Sequence, residues 1–321
     1  MTQTIRTNRR RALQLIGGGA AACAAGSLAH AQQKTKVVLG YTAVTDYANA
    51  FAAREEGYFD KNGLDVEFKL IPLNPSLPAA LESDSLQIAG PTVTVFLQAV
   101  DGGLDEVLLA GAGAAGKTMA ASGIVARADG PIKTPQDFVG RKVGVPGLGA
   151  LLHVAGRAWL KSQGVDYNKV TFIESSFPQH ADLLKGGSVD AVISADPFMA
   201  RVTASGLARP IVDFSTFIPD GAPTLIYVSR REWAAKNAAA AKGFQSAIAE
   251  GSAFVNKPEN QARTREHIGR YIKLPPEVLA TVRWSPALPT VSQASMGWWI
   301  DAMTEQKMLR TKPDFAKLVV A

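Results

Sequence analysis

The stretch of sequence that decides the fold runs from Phe138 to Met199 and reads FVGRKVGVPGLGALLHVAGRAWLKSQGVDYNKVTFIESSFPQHADLLKGGSVDAVISADPFM. Short apolar or β-branched runs predict strands, and apolar residues spaced by three or four predict helices. Gly164 and Gly186-Gly187 end the two helical patterns. The predicted elements are a strand at 142–145, a helix at 152–160, a strand at 170–173, a helix at 180–184 and a strand at 189–193. This βαβαβ order predicts a parallel sheet with right-handed crossovers.

The same order occurs earlier in the chain. Strand patterns at 36–40, 66–71 and 86–89 alternate with helical patterns at 48–56 and 79–81. The chain is longer than one hydrophobic core usually holds, so we predict two similar α/β lobes. The predicted boundaries are 32–121 with 226–321 for lobe 1, and 122–225 for lobe 2.

The N-terminus is typical of an export signal. Arg9-Arg10 lies ahead of a weakly apolar Gly/Ala run, and Ala29-His30-Ala31 is a typical cleavage site, so we expect residues 1–31 to be removed by the twin-arginine or general secretory route. The leader holds four of the 34 basic residues and no acidic one. Its removal would therefore lower the net charge of the protein from +6 to about +2. That balance argues against nucleic-acid binding. The only cysteine, Cys23, also leaves with the leader, and whether it is ever lipidated stays open.

The segment from Gly111 to Thr118, GAGAAGKT, matches the phosphate-loop pattern after an apolar strand. A phosphate loop needs a helix to follow, but Ser122-Gly123 and an apolar strand pattern come next. We therefore expect a crossover between the lobes, with Lys117 facing the cleft. The strand pattern at 224–228 is the expected return crossover.

Three segments carry a resemblance to a known family: residues 57–66 (GYFDKNGLDV), residues 142–149 (KVGVPGLG), and VDAV at 189–192 followed by Asp196-Pro197-Phe198. They resemble the periplasmic solute-binding proteins of ABC importers, in the nitrate/sulfonate/taurine-binding (NMT1/THI5-like) family. The family more often has Glu where this chain has Asp196. The resemblance implies a type II two-lobe fold with a two-strand hinge, closing on a small molecule that is delivered to a permease and its ATPase subunit. It also implies a monomer that is not an enzyme and a periplasmic location.

Ligands of parallel α/β sheets bind beyond the carboxyl ends of the strands. The candidate ligand-binding residues lie at those ends, in the loop after the first strand, at Lys117 and one turn into the central helix. They are Tyr41, Thr42, Asp46, Tyr47, Gly90, Pro91, Thr92, Lys117, Gly147, Leu148, Gly149, Ala150, His153, Ser175 and Asp196. Purely structural roles remain as alternatives for two of these residues. His153 could be a packed or surface histidine, and Asp196 could cap the next turn.

We expect the ligand to be a small organic anion, a sulfonate or carboxylate. Its acidic group would rest on the glycine loop 147–149 and the helix that follows, because backbone N–H groups and the helix dipole attract anions. The loop has few hydroxyls, which favours a ligand with an aromatic or apolar body packed on Tyr41, Tyr47 or Phe177. The alternative is that the glycines only permit a tight turn.

Other activities are less well supported. The sequence contains no nucleophile-elbow pattern, and His180 with Asp182 lacks a third ligand for a metal, so we predict no metal and no cofactor. A binding protein or enzyme for pyrimidine or thiamine precursors on the same fold is the alternative function.

Overall fold

The structure is a computed structural model, and it describes residues 34–320; the predicted export signal lies outside the described residues. Ten strands lie in this range. They are β1 (Thr35–Tyr41), β2 (Leu64–Leu70), β3 (Ile88–Ala89), β4 (Glu106–Ala114), β5 (Ser122–Arg127), β6 (Lys142–Val145), β7 (Thr171–Glu174), β8 (Ala191–Ala195), β9 (Ala208–Asp213) and β10 (Pro223–Arg230).

Helices flank the strands. They are α1 (Ala48–Glu55), α2 (Tyr58–Lys61), α3 (Leu77–Glu82), α4 (Val93–Asp101), α5 (Leu151–Ser162), α6 (His180–Lys185), α7 (Phe198–Ala204), α8 (Arg231–Lys236), α9 (Ala238–Val255), α10 (Gln261–Tyr271), α11 (Pro276–Leu279), α12 (Gln293–Glu305) and α13 (Phe315–Leu318). The central βαβαβ prediction is confirmed as β6, α5, β7, α6 and β8.

The strands form two five-stranded sheets with the same plan. The orders are β2-β1-β3-β10-β4 in the first sheet and β7-β6-β8-β5-β9 in the second. In the first sheet β1 pairs in parallel with β2 and β3, and in the second β6 pairs in parallel with β7 and β8. The prediction of a two-sheet α/β fold with parallel cores is confirmed.

Each sheet also contains one antiparallel strand. This strand is β10 in the first sheet and β5 in the second, and each pairs antiparallel with both of its neighbours. Both are the strands by which the chain enters a sheet directly from the other one. They arrive without a crossover helix, so they run against the strands that such helices connect. The parallel sheets expected from the sequence are therefore mixed.

Two short segments connect the sheets, residues 115–121 and 214–222. They are joined by hydrogen bonds, because the N–H of Ala115 donates to the Ala222 carbonyl at 2.7 Å and the N–H of Gly221 donates to the Ala115 carbonyl at 2.9 Å. The first segment contains part of the phosphate-loop pattern, whose beginning lies inside β4. Only turns and bends separate β4 from β5, so the helix that a phosphate loop requires does not follow it. The predicted lobe boundary at 225/226 lies inside β10.

The C-terminal helices pack in two places. Helices α9 and α10 lie on α1, beside the first sheet. Helix α12 differs, since it also contacts α5 of the second half. Lys161 on α5 forms an ion pair with Glu305 on α12, and Gln306 donates to the Val154 carbonyl at 2.9 Å. The buried face of α12, with Trp299 fully enclosed, accounts for this position.

Candidate functional site

A cavity opens at the carboxyl ends of the strands of both sheets. Its empty space is about 640 Å³, including the part that opens to solvent. The first sheet contributes residues that follow β1 and β2, the start of α4 and part of β10: Thr42, Val44, Asp46, Pro72, Asn74, Thr92, Thr224 and Leu225. The connecting segment and the second sheet contribute Met119, Ala120, Ser122, Pro146, Ala150, Leu151, Leu152, Phe177 and Ala195.

The wall of the cavity is mainly apolar, with a few hydroxyl and amide groups. The apolar part consists of aliphatic side chains and one aromatic ring, that of Phe177, which stacks on Phe198 with the ring centres 5.6 Å apart. Asp46 carries the only ionisable side chain among the described residues that line the cavity. Such a wall suits a ligand with an apolar body and a small number of polar groups.

Asp46 lies on a 3₁₀ turn that follows β1, and one hydroxyl group holds its carboxylate in place. The Thr224 hydroxyl, on β10, donates to Asp46 Oδ1 at 2.7 Å. Gly113 leaves room for this arrangement, because a Cβ atom there would lie 2.9 Å from Asp46 Oδ1. Burial raises the pKa of Asp46, and the hydrogen bond from the Thr224 hydroxyl opposes that rise.

Polar groups beside Asp46 are positioned by local turns. The side chain of Asn74 accepts the N–H of Thr92 at 2.8 Å. The Thr92 hydroxyl caps α4 by accepting the N–H of Val95. These bonds fix two polar groups on the cavity wall.

Ser122 faces the cavity from β5. Its hydroxyl is buried and has no hydrogen-bond partner among the described residues. A buried hydroxyl without a partner costs free energy, so this group is available to a ligand or a bound water.

The glycine loop has a different role from the one predicted. Gly149 adopts φ +82°, and a Cβ atom there would lie 2.8 Å from the Gln98 side chain. The N–H of Leu148 donates to Glu174 at 2.8 Å, and the N–H of Gly149 donates to His153 Nδ1 at 2.9 Å. The N–H groups of Leu148 and Gly149, which were expected to hold an anion, thus have partners within the chain, and Gly149 serves the turn.

The helix after the loop faces the cavity with its first turn. Ala150 is the N-cap of α5, and no side chain caps the helix at this residue. Ala150, Leu151 and Leu152 all line the cavity. The first turn of a helix carries N–H groups without helical partners and a partial positive charge, so this end of the cavity is electropositive.

His153 supports the loop. It is buried, it packs edge-to-face on Phe172 at 4.6 Å, and it lies outside the cavity wall. Burial lowers the pKa of His153 to about 4, and the charge of Arg157 adds to this effect. The imidazole is therefore neutral at pH 7, as its acceptance of the Gly149 N–H requires.

Of the predicted site residues, Thr42, Asp46, Thr92 and Ala150 line the cavity. Tyr41, Tyr47, Gly90 and Pro91 lie behind its wall: the Tyr47 hydroxyl donates to the Gly90 carbonyl, and the Tyr41 hydroxyl to the Tyr271 carbonyl. Of the three aromatic rings expected to contact the ligand, only that of Phe177 lines the cavity.

The remaining predicted residues lie outside the cavity wall. Lys117 is exposed in the connecting segment. Ser175 is buried beneath the surface, and Leu148 is 47% exposed. Asp196 accepts the N–H of Ala200, in the first turn of α7, at 3.1 Å. This is the capping role that was the structural alternative to ligand binding.

Three polar residues of the cavity wall were not among the predicted site residues: Asn74, Ser122 and Thr224. Asn74 had a usable signal, because it follows the carboxyl end of a predicted strand. Ser122 and Thr224 lie on the two antiparallel strands, whose direction the sequence did not reveal.

Within residues 34–320, no group of three or more His, Cys, Asp or Glu side chains is arranged to hold a metal ion. In the same part of the chain, every helix is too short or too polar to cross a membrane.

Known proteins were compared with the chain. The sequence profile of the family described as NMT1/THI5 like matches residues 44–261. No curated protein sequence matches the chain. Three solved structures with similar folds are binding proteins by name.

The alkanesulfonate-binding protein SsuA from Xanthomonas axonopodis pv. citri, bound to MOPS, has a TM-score of 0.75 and 18% identity, over 90% of this chain and 99% of that one. The periplasmic aliphatic sulphonate binding protein SsuA from Escherichia coli has a TM-score of 0.69 and 19% identity, over 88% of this chain and 97% of that one. The periplasmic nitrate-binding protein NrtA from Synechocystis PCC 6803 has a TM-score of 0.72 and 17% identity, over 88% of this chain and 84% of that one. At these identities the likeness shows the fold. Because the family profile covers about two thirds of the sequence, the chain belongs to the NMT1/THI5 like family.

Proposed function

We propose that this protein is the extracytoplasmic solute-binding component of an ABC importer. It captures a small organic anion, a sulfonate or carboxylate with an apolar or aromatic body, between its two halves and delivers it to a permease and its ATPase subunit. The observation that carries the proposal is the cavity, which both sheets line at the carboxyl ends of their strands. The paired connecting segments beside it are suited to hinge motion, because few residues need to change conformation.

The proposed position of the acidic group is the first turn of α5. This turn faces the cavity, lacks a side-chain cap at its N-cap residue, and begins with the lining residues Ala150, Leu151 and Leu152. The helix dipole and free N–H groups stabilise an anion there. The apolar body of the ligand would pack on Leu152 and Phe177.

A thermal-shift and calorimetry screen tests the function. The purified mature protein is mixed with sulfonates, carboxylates, nitrate and pyrimidines, and a true ligand at a hundredfold excess over Kd adds about 2.7 kcal/mol of stability. Recovery of a chemically altered ligand would show an enzyme instead of a binding protein.

The acidic group has its own test. A carboxylate ligand is compared with its uncharged amide, and we expect the carboxylate to bind more tightly. Affinities within a factor of about two, or less than ~0.5 kcal/mol, would refute an anion site at α5.

Export is proposed to precede binding, with cleavage after Ala31. Replacing Arg9 and Arg10 by lysine should abolish delivery to the periplasm, as measured by cell fractionation with an unmodified control. Unchanged periplasmic yield of the double variant would exclude the twin-arginine route and leave the general secretory route. The mature N-terminus can be read by mass spectrometry, with Gln32 as the expected first residue.

A further inference from the structure

The cavity has opposite electrostatic character at two places on its wall. One is the first turn of α5, where the helix presents its positive end. The other is Asp46, the only acid among the described lining residues, and no lysine, arginine or histidine is found among them. A ligand with an acidic group alone would leave the Asp46 carboxylate without a complementary partner in an apolar enclosure.

The position of Asp46 is built into the fold. Its carboxylate is anchored from β10 by the Thr224 hydroxyl, and Gly113 on β4 lacks the Cβ atom that would crowd it. The bond to Thr224 engages Oδ1, and a carboxylate has about four lone-pair sites, so it can accept further hydrogen bonds. This carboxylate is thus oriented on the cavity wall while it retains the capacity to accept donors.

A second group supports a polar ligand. The hydroxyl of Ser122, on the second sheet, is buried at the cavity wall without a hydrogen-bond partner among residues 34–320. Since a buried polar group is normally satisfied, a ligand that offers hydrogen-bonding groups to both walls fits this cavity better than a wholly apolar body with one acidic end.

We propose that the natural ligand carries an N–H donor, in the form of a protonated amine, which binds the Asp46 carboxylate while its acidic group binds at α5. The inference rests on the proposed function and specifies its ligand as an amino-carboxylate or amino-sulfonate. Asp46 is then the residue that determines specificity for the amine.

The energetics of the carboxylate agree with this assignment. Burial raises the pKa of Asp46, which means that its charge is poorly solvated at the cavity wall. An ammonium group on the ligand supplies the opposite charge and the donors that favour the ionised form. A neutral methyl group in the same place would leave the buried charge unpaired.

Matched pairs of probes test the proposal. One pair is 3-(aminomethyl)benzoate and 3-ethylbenzoate, and the other is 3-aminopropanesulfonate and butanesulfonate. Each pair keeps the acid and the body of the molecule and exchanges only ammonium for methyl. Calorimetry on the mature protein should show at least about tenfold tighter binding of one or both amino probes than of their partners.

The substitution Asp46→Asn completes the test. The amide keeps the shape of the side chain and an oxygen that accepts the Thr224 hydroxyl, but it removes the charge. We expect the tenfold preference to fall to about threefold or less, through weaker binding of the amino probe. Asp182→Asn, which changes an exposed carboxylate on α6, is the matched control and should leave the preference unchanged.

The outcomes separate this inference from the proposed function. Equal affinities within both probe pairs, or tight binding only of ligands without an N–H donor, would overturn the role of Asp46 and leave a solute-binding protein. A preference that survives Asp46→Asn would also overturn it. No binding of any probe or of any member of the wider screen would overturn the solute-binding function itself.

Discussion

Glu106 supports a quantitative prediction about the pH dependence of stability. It lies at the start of β4 and is 1% exposed, and neither of its carboxyl oxygens has a hydrogen-bond partner among the described residues. Burial raises the pKa of Glu106 to about 8, from 4.5 for an ordinary glutamate, and the charge of Glu82 adds to the effect. At neutral pH the folded protein therefore holds a proton on Glu106 that the unfolded chain releases.

The sign of the effect follows from the proton balance. Between the two pKa values the folded state binds one proton more than the unfolded state, so stability falls as pH rises. The slope from this one group is about 1.4 kcal/mol per pH unit. From pH 5.5 to pH 7.5 the loss amounts to ~3 kcal/mol, an upper magnitude for one carboxyl group.

Glu106→Gln removes the titrating group and keeps its shape. Urea unfolding followed by circular dichroism, at pH values from about 5.5 to 7.5, gives the free energy of unfolding of the variant and of the unmodified protein. From pH 5.5 to pH 7.5 the unmodified protein should lose ~3 kcal/mol of unfolding free energy that the variant does not lose. The stability of the variant relative to the unmodified protein should therefore rise by that amount over this range.

The exposed residue Glu277 on α11 offers a matched control, and Glu277→Gln should leave the slope unchanged. Parallel stability curves for Glu106→Gln and the unmodified protein would refute a protonated, buried Glu106.

Three further substitutions test the packing. Gly123→Ala should destabilise the protein by roughly 1–3 kcal/mol or more in urea unfolding. The reason is that the new Cβ atom would lie 1.9 Å from the carbonyl oxygen of Val212 on the neighbouring strand β9. An unchanged unfolding midpoint would contradict the pairing of β5 with β9. Gly297→Ala in α12 meets nothing within 4 Å and should stabilise the protein by about 0.5–1 kcal/mol, so a loss of stability would show that this helix face is covered. Tyr47→Phe removes one of the two hydrogen bonds to the buried Gly90 carbonyl and leaves the longer one from Asn74 at 3.4 Å, so it should cost about 0.5–1.5 kcal/mol by thermal unfolding, whereas a neutral effect would mean that water replaces the hydroxyl.

Much of the fold is determined locally and was therefore predictable. The pattern from Phe138 to Met199 contains apolar runs and glycine stops whose spacing specifies each element, and the structure has the same order of strands and helices. Helix boundaries in the C-terminal part were less predictable. Helices α8 and α9 are separated only at Asn237, where the backbone leaves helical geometry (φ −121°, ψ 42°) without a proline or glycine to mark the break.

Strand direction and burial depend on contacts between distant segments. Nothing in the residues of β5 or β10 distinguishes a parallel from an antiparallel strand, because both pairings satisfy the same apolar pattern. Glu106 likewise lies on a strand that meets remote segments, because it is paired in register with Arg230 on β10, and α13 contacts β4. A charged residue at the start of a strand is more often exposed, so the sequence alone favours the wrong environment.

The sequence by itself determined the two-sheet α/β fold and the strand ends at which a cavity forms, because short-range periodicity and the right-handed crossover rule specify both. It pointed to Asp46 as one candidate among fifteen. Only the tertiary structure decided that Asp46 lines the cavity with Thr224 and Ser122, while Lys117 and Asp196 lie outside it. The reason is physical: a cavity is assembled from loops more than a hundred residues apart, and the position of each loop depends on how the two sheets and their helices pack.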